Sequence, residues 1–243
     1  FQDACRYYGM LWGRFCRIAP DVNEPSIGFR VARDVNPLAA FESRFIRIDG
    51  EAMVGCDEAL IPALECRMPL DESVLHALQK NKLSVVKLVP IEIGVYPVTN
   101  EEYWQFVRET GHSAPNHWQV RPYSWTKRPF LNKHAHHPVT YVKHSDATAY
   151  CQWLSHKDRR FVYRLPNREE WEAAARGGES RVYPWGEDFD SSKCNGGESK
   201  RGATCDVRDY AGGDSPCGCR QMTGNIFEWL QDTDGDSRFM RGG

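Results

Sequence analysis

The sequence predicts a single α+β domain, residues 1–243, with few helices, short strands and much irregular chain. Three observations carry this. Three segments have helix-start signals and periodic apolar faces. The strand-like runs are brief and β-branched. The stretch 183–219 is rich in Gly, Asp, Ser and Pro, which marks a functional or pinned loop region. The chain has 243 residues, 41% hydrophobic and 12% aromatic, enough for a real core and too apolar for disorder. A formal charge of -2 gives no case for nucleic acid or an anionic membrane. No apolar run approaches the roughly 20 residues of a membrane span. No signal-like segment is present, so any export signal is expected outside this chain. The nine cysteines are scattered, odd in number and without a C-x-x-C pair, which weakens zinc and thioredoxin readings and leaves the redox compartment open.

Taken in order, "GFRVAR" and "SRFIRIDG" read as strands, the second alternating Phe45, Ile46 and Ile48 with Arg44 and Arg47. "SVVKLVPIEIGVYPVT" is β-branched and is expected to break at Pro90 and Gly94. The first helix starts at Thr99, with Glu102 at capping-box spacing, buries Tyr103, Phe106 and Val107, and stops at Gly111. The second is capped by Ser145 and puts Ala147, Tyr150, Cys151 and Leu154 on one face. "FVYRLP" is another short strand. The third helix uses Asn167 and Glu170 as its cap, turns Trp171, Ala174 and Ala175 inward and ends at Gly177.

Six blocks then form an ordered set: "IGVYPVTNEEYWQFV", "HPVTYVKHSDATAYCQWL", "YRLPNREEWEAAARGG", "VYPWGEDF", "QMTGNIFEWLQD" and "RFMRGG". Together they resemble the formylglycine-generating enzyme (sulfatase-modifying factor) domain family, whose fold is a variant of the C-type-lectin-like fold. The resemblance spans essentially the whole chain. In that family the "RGG" turn continues into an Arg-rich stretch closing on "IGFR", which here is residues 1–35. The resemblance therefore implies a permuted order, with 1–35 corresponding to the family's C-terminal segment and 36–243 to the rest of the domain.

The family's enzymes oxidise a substrate cysteine at a copper ion held by two cysteines, which suits soft Cu(I). The pair sits at the third and eighth positions after "RGGS". No Ser follows Gly243. Counted as though a Ser preceded Phe1, those positions are Asp3 and Tyr8; counted with Phe1 in its place, they are Ala4 and Gly9. Neither register supplies two cysteines, and Cys5 and Cys16 are eleven apart rather than five. No copper and no oxidase catalysis are expected. The run His134, His136 and His137 does not match the iron-site pattern of the fold's sulfoxide synthases, and a solvated loop is the expected reading.

"ACRYYGMLWGRFCRI" mixes aromatics with Gly in neither a helical nor a strand period, between regular flanks. That arrangement resembles the variable proteins of diversity-generating retroelements. It implies a ligand-binding face formed by Gln2, Asp3, Cys5, Tyr7, Tyr8, Gly9, Leu11, Trp12, Phe15 and Asn23, within residues 2–25. Tyr and Trp offer amphipathic area at low rotamer cost. The competing reading places Tyr7, Trp12 and Phe15 in the core, where Ile27 and Phe29 are expected in any case. The implied partner is a protein or surface molecule, with no nucleic acid, and display outside the cell or at its surface follows from the resemblance alone. A copper oxidase or a catalytically dead structural or regulatory module are the alternatives.

"GNIFEW" resembles a family block in which Asn and Glu side chains and a carbonyl hold calcium, implying Asn225, Ile226 and Glu228 as oxygen ligands. The competing reading has Asn225 shaping a turn and Glu228 pairing with a core Arg such as Arg30. Asn195 is a candidate for a second such site, without clear partners. "DTDGD" lacks the closing Glu of a calcium loop and reads as a solvated turn. Trp171, Trp185 and Trp229 read as core anchors.

Overall fold

In the computed structural model of the chain, which describes residues 25–35, 44–55, 83–118, 130, 132–179 and 181–243, two sheets share one short segment. Strand β1 (Ile27–Phe29) lies parallel to β6 (Phe227–Asp234), whose other side pairs antiparallel with β7 (Ser237–Gly242). Three residues after β1, β2 (Ala32–Asp34) belongs to the second sheet, ordered β3-β4-β2-β5 with β3 (Phe45–Gly55), β4 (Leu83–Gly94) and β5 (Tyr163–Arg164). The single strand expected over "GFRVAR" is thus two, and Arg30 stands at the crossing. Gly28 is forced by this packing, since a Cβ there would collide with the Val139 carbonyl oxygen.

Pro90 does not end β4. The β3–β4 register shifts between Ile48 and Gly50, with Ile48 facing Ile91 and Gly50 facing Leu88. Val89 and Pro90 together oppose Asp49, a bulge that accommodates a residue without an N–H.

The described residues hold three α-helices: α1 (Asn100–Thr110), α2 (His144–Lys157) and α3 (Arg168–Arg176). Both expected capping boxes form. The Thr99 N–H donates to Glu102 at 2.8 Å, and the Asn167 N–H donates to Glu170 at 2.8 Å while Asn167 Oδ1 accepts the Glu170 N–H at 2.9 Å. Gly111 ends α1 in the left-handed region at φ 73°. Helix α2 is capped at Lys143 rather than at the expected Ser145. Ser145 lies inside the helix, and Asp146 accepts the Lys143 N–H at 2.9 Å. None of the described helices is long and apolar enough to cross a membrane.

Phe29 and Ala32 fall into different apolar clusters. The first is aromatic: Phe29 meets Tyr150 edge-on with centroids 5.3 Å apart, and Tyr150 stacks on Tyr103. The second packs Ile91, Ile93 and Ala32 against Trp171, Ala174, Met222 and Leu230. Trp171 and Trp229 are buried anchors as expected, but Trp185 is only half-buried, stacked on Tyr183 at 5.2 Å.

Charges are buried beside these clusters. Arg33 is fully buried between the rings of Phe45 and Phe161, at 4.0 and 3.6 Å, and donates to Tyr163 Oη. Glu172 of α3 bridges two guanidinium groups, accepting from Arg176 Nε at 2.7 Å and from Arg241 of β7 at 2.9 Å. Burial pushes the Arg176 guanidinium down to about 10, against the pull of Glu172.

Candidate functional site: the cleft between Glu198, Asn225 and Gly243

Of the candidate site residues read from the sequence, Gln2, Asp3, Cys5, Tyr7, Tyr8, Gly9, Leu11, Trp12, Phe15 and Asn23 lie outside the described residues. Asn225, Ile226 and Glu228 are described. They sit on the strand and turn that lie between the segment starting at Pro25 and the closing glycines.

Glu228 is fully buried and committed to Arg30, which is fully buried too. Arg30 Nε and Nη2 donate to the two carboxylate oxygens at 3.0 and 2.9 Å. The remaining donors reach the carbonyls of Gly94, Val95 and Arg220, each at 2.7 Å. All five guanidinium N–H groups therefore have acceptors. Trp171 Nε1 adds a further bond to Glu228 Oε2 at 2.8 Å. The carboxylate thus ties Arg30, between β1 and β2, to β6 and α3. The Arg30 pairing is what the structure shows.

Asn225 pins a turn. It is left-handed at φ 70°, a conformation Asn tolerates better than most residues. Its Oδ1 accepts the Cys205 N–H at 2.9 Å and Asn195 Nδ2 at 3.1 Å, while its Nδ2 donates to Gln221. Its backbone N–H donates to the Asn195 carbonyl at 3.0 Å. These contacts tie the side chains of Asn195, Gln221 and Asn225 to one another. Among the described residues no group of three or more His, Cys, Asp and Glu is placed to hold a metal ion.

This pinning leaves a cleft of about 150 Å³ where the loop 194–198 meets the turn 223–227, bordered by Ser26, Phe189 and Gly243. The Phe227 N–H donates to the Ser26 carbonyl at 2.7 Å, and the Gly224 N–H to the Gly243 carbonyl at 3.1 Å. Gly242 and Gly243 both have positive φ, 86° and 97°. A Cβ on Gly243 would collide with the Phe227 ring, which is why the "RGG" turn ends in glycine here. Ser199 Oγ donates to Asn195 Oδ1 at 2.7 Å and shapes the short turn that carries Glu198 to the rim.

The described thiols are free. Burial pushes Cys151 and Cys219 up to about 12, and Cys194 and Cys205 up to about 11. It raises Cys217 as well. These groups are protonated near neutral pH, whereas the thiolate is the nucleophile and soft-metal ligand. In the "HAHH" loop the rings of His134 and His137 are 4.9 Å apart, and His137 Nδ1 is 3.0 Å from Thr204 Oγ1. Burial, reinforced by His134, lowers His137 and takes His117 down to about 4.

The sequence profile of the sulfatase-modifying factor enzyme 1-like domain matches residues 57–243. The chain belongs to this family. Among its sulfatase-modifying factor relatives, the mouse protein named inactive C-alpha-formylglycine-generating enzyme 2 is 29% identical over 204 residues, covering 65% of this chain and 64% of that protein. The hercynine oxygenase of Mycobacterium tuberculosis is 31% identical over 171 residues, 60% of this chain and 38% of the relative. The serine/threonine-protein kinase Pkn1 of Chlamydia trachomatis is 32% identical over 165 residues, 63% of this chain and 25% of the relative. The chain thus matches under two thirds of each relative's length. Relatives named as an inactive protein, an oxygenase and a kinase all match this chain, so membership identifies the scaffold rather than the chemistry.

Reading single residues missed Glu172 and Glu198. For Glu172 a signal exists: Glu and Arg four apart inside the apolar "WEAAAR" turn. Nothing local marks Glu198, whose position follows from Asn195 and Ser199.

Proposed function

We propose that this family member is a non-catalytic ligand-binding protein. In this reading it is built on the C-type-lectin-like scaffold of formylglycine-generating enzymes. It displays residues of about 2–25 as a diversified surface of the retroelement type, with 1–35 supplying the family's closing segment. The observation that carries it is the spacing of Cys5 and Cys16, which stand eleven apart within residues 1–35 rather than the five of the family's copper-binding pair. The raised, protonated state of the described thiols supports it. The partner is a protein or surface molecule, and the setting is the cell surface or exterior. The name of the mouse relative favours one second reading, a catalytically dead structural or regulatory module.

A combined Tyr7→Ser, Tyr8→Ser, Leu11→Ser, Trp12→Ser and Phe15→Ser variant separates display from core. Displayed side chains are expected to lower the melting temperature by less than about 4 °C in total. Core side chains cost roughly 3–5 kcal/mol each, and a drop beyond about 15 °C, or failure to fold, contradicts the reading. Genes from several isolates should differ mainly at codons 2–25, and uniform drift counts against diversification.

A further inference from the structure

We propose that the cleft beside Glu198 is a socket for a cationic side chain, the guanidinium of Arg or the ammonium of Lys, presented by a polypeptide ligand. The inference deepens the binding reading above and rests on it. Among the side chains of the described residues lining the cleft, that of Glu198 alone carries a formal charge. Its carboxylate has no ion-pair partner among the described residues, in contrast to Glu102, Glu170, Glu172 and Glu228. The walls behind it are apolar: Phe189, Phe227, the buried Ile226 and the protonated thiol of Cys194.

The volume fits one such side chain. A cavity of about 150 Å³ holds a benzene-sized group, and the Arg or Lys stem is of that order. Long cationic side chains lay an apolar stem along apolar walls and keep the charged head at the polar edge. Here the edge is Glu198, held at the rim by the turn that Asn195 and Ser199 stabilise. The Phe189 and Phe227 rings add attraction for a cation. An anionic side chain meets the carboxylate without compensation. A neutral apolar one fills the walls and leaves Glu198 unused. Position on the chain agrees: Ser26, which follows the segment proposed for display, borders the cleft.

The test titrates the full chain with Nα-acetyl-arginine methylamide and Nα-acetyl-lysine methylamide, followed by ligand-observed saturation-transfer NMR. The norleucine and glutamate counterparts serve as controls. For probes of this size a Kd on the order of 1 mM is expected. At least one cationic probe should bind tenfold more tightly than both controls, and Glu198→Gln should remove that advantage while leaving the melting temperature unchanged. No saturable binding up to about 10 mM, equal binding of norleucine, or unchanged selectivity in Glu198→Gln overturns the proposal. The binding reading is judged separately, by the stability of the variant altered at Tyr7, Tyr8, Leu11, Trp12 and Phe15, so the two can fail independently.

Discussion

Arg30→Met is expected to lose about 3–5 kcal/mol of stability, the cost of removing one partner from a buried ion pair. The substitution keeps an unbranched stem of comparable bulk but removes five hydrogen bonds. It leaves the Glu228 carboxylate, fully buried, with Trp171 Nε1 as its remaining side-chain donor. Three backbone carbonyls, of Gly94, Val95 and Arg220, lose the Arg30 donor in the same step, although Val95 keeps the Arg220 N–H at 2.7 Å. For a domain of this size each kcal/mol lowers the melting temperature by about 2–4 °C, so a fall of roughly 6–20 °C is expected. Arg30→Lys should recover only part of it, because an ammonium has three donors on one point and cannot span acceptors on β4, β6 and the 220 loop. The double variant Arg30→Met with Glu228→Gln should be at least about 1 kcal/mol more stable than the two single losses added together, since the unpaired charge is gone. Strict additivity in denaturant unfolding would show that the pair is not the unit described.

Glu172→Gln should cost a similar amount, about 3–5 kcal/mol, for the converse reason. Here one carboxylate serves two cations, and the side chains of Arg176, Glu172 and Arg241 are 6%, 1% and 4% exposed. Glutamine keeps the shape and removes the charge, so two guanidinium groups face each other in the interior. Arginine does not shed its proton near neutral pH, and even the lowered Arg176 titrates only at about 10. Arg241 leads into Gly242 and Gly243, so the damage should extend to the cleft. Amide exchange at 238–243 should accelerate more than at α1, which packs in the other cluster. Uniform acceleration would instead mean that the Glu172 bridge holds the whole domain and not this edge.

Elements specified by near neighbours were legible in the sequence. Thr99 with Glu102 and Asn167 with Glu170 announce their helices because each cap closes within four residues. Ser145 misled because a serine near a helix start is the usual signal, whereas here Asp146 reaches back to Lys143. "GFRVAR" looked like one strand because Phe29 and Val31 alternate with Arg30 in a short run. In the fold both Arg30 and Arg33 are fully buried, each satisfied by partners more than fifty residues away. Pro90 looked like a strand end because the bulge that accepts it depends on the partner strand's register. The cleft was least legible. Its lining comes from residue 26, from 189–198, from 223–227 and from 243, stretches that meet only once the two sheets are in place.

The central claim is that this family scaffold binds without oxidising. The most direct measurement supplies the reduced full chain with one equivalent of Cu(I) under oxygen and follows a cysteine-containing peptide for loss of thiol and gain of aldehyde. The account predicts no turnover and no stoichiometric copper complex whose removal changes the peptide's fate. Copper-dependent conversion of the peptide, with one copper bound per chain, would contradict it.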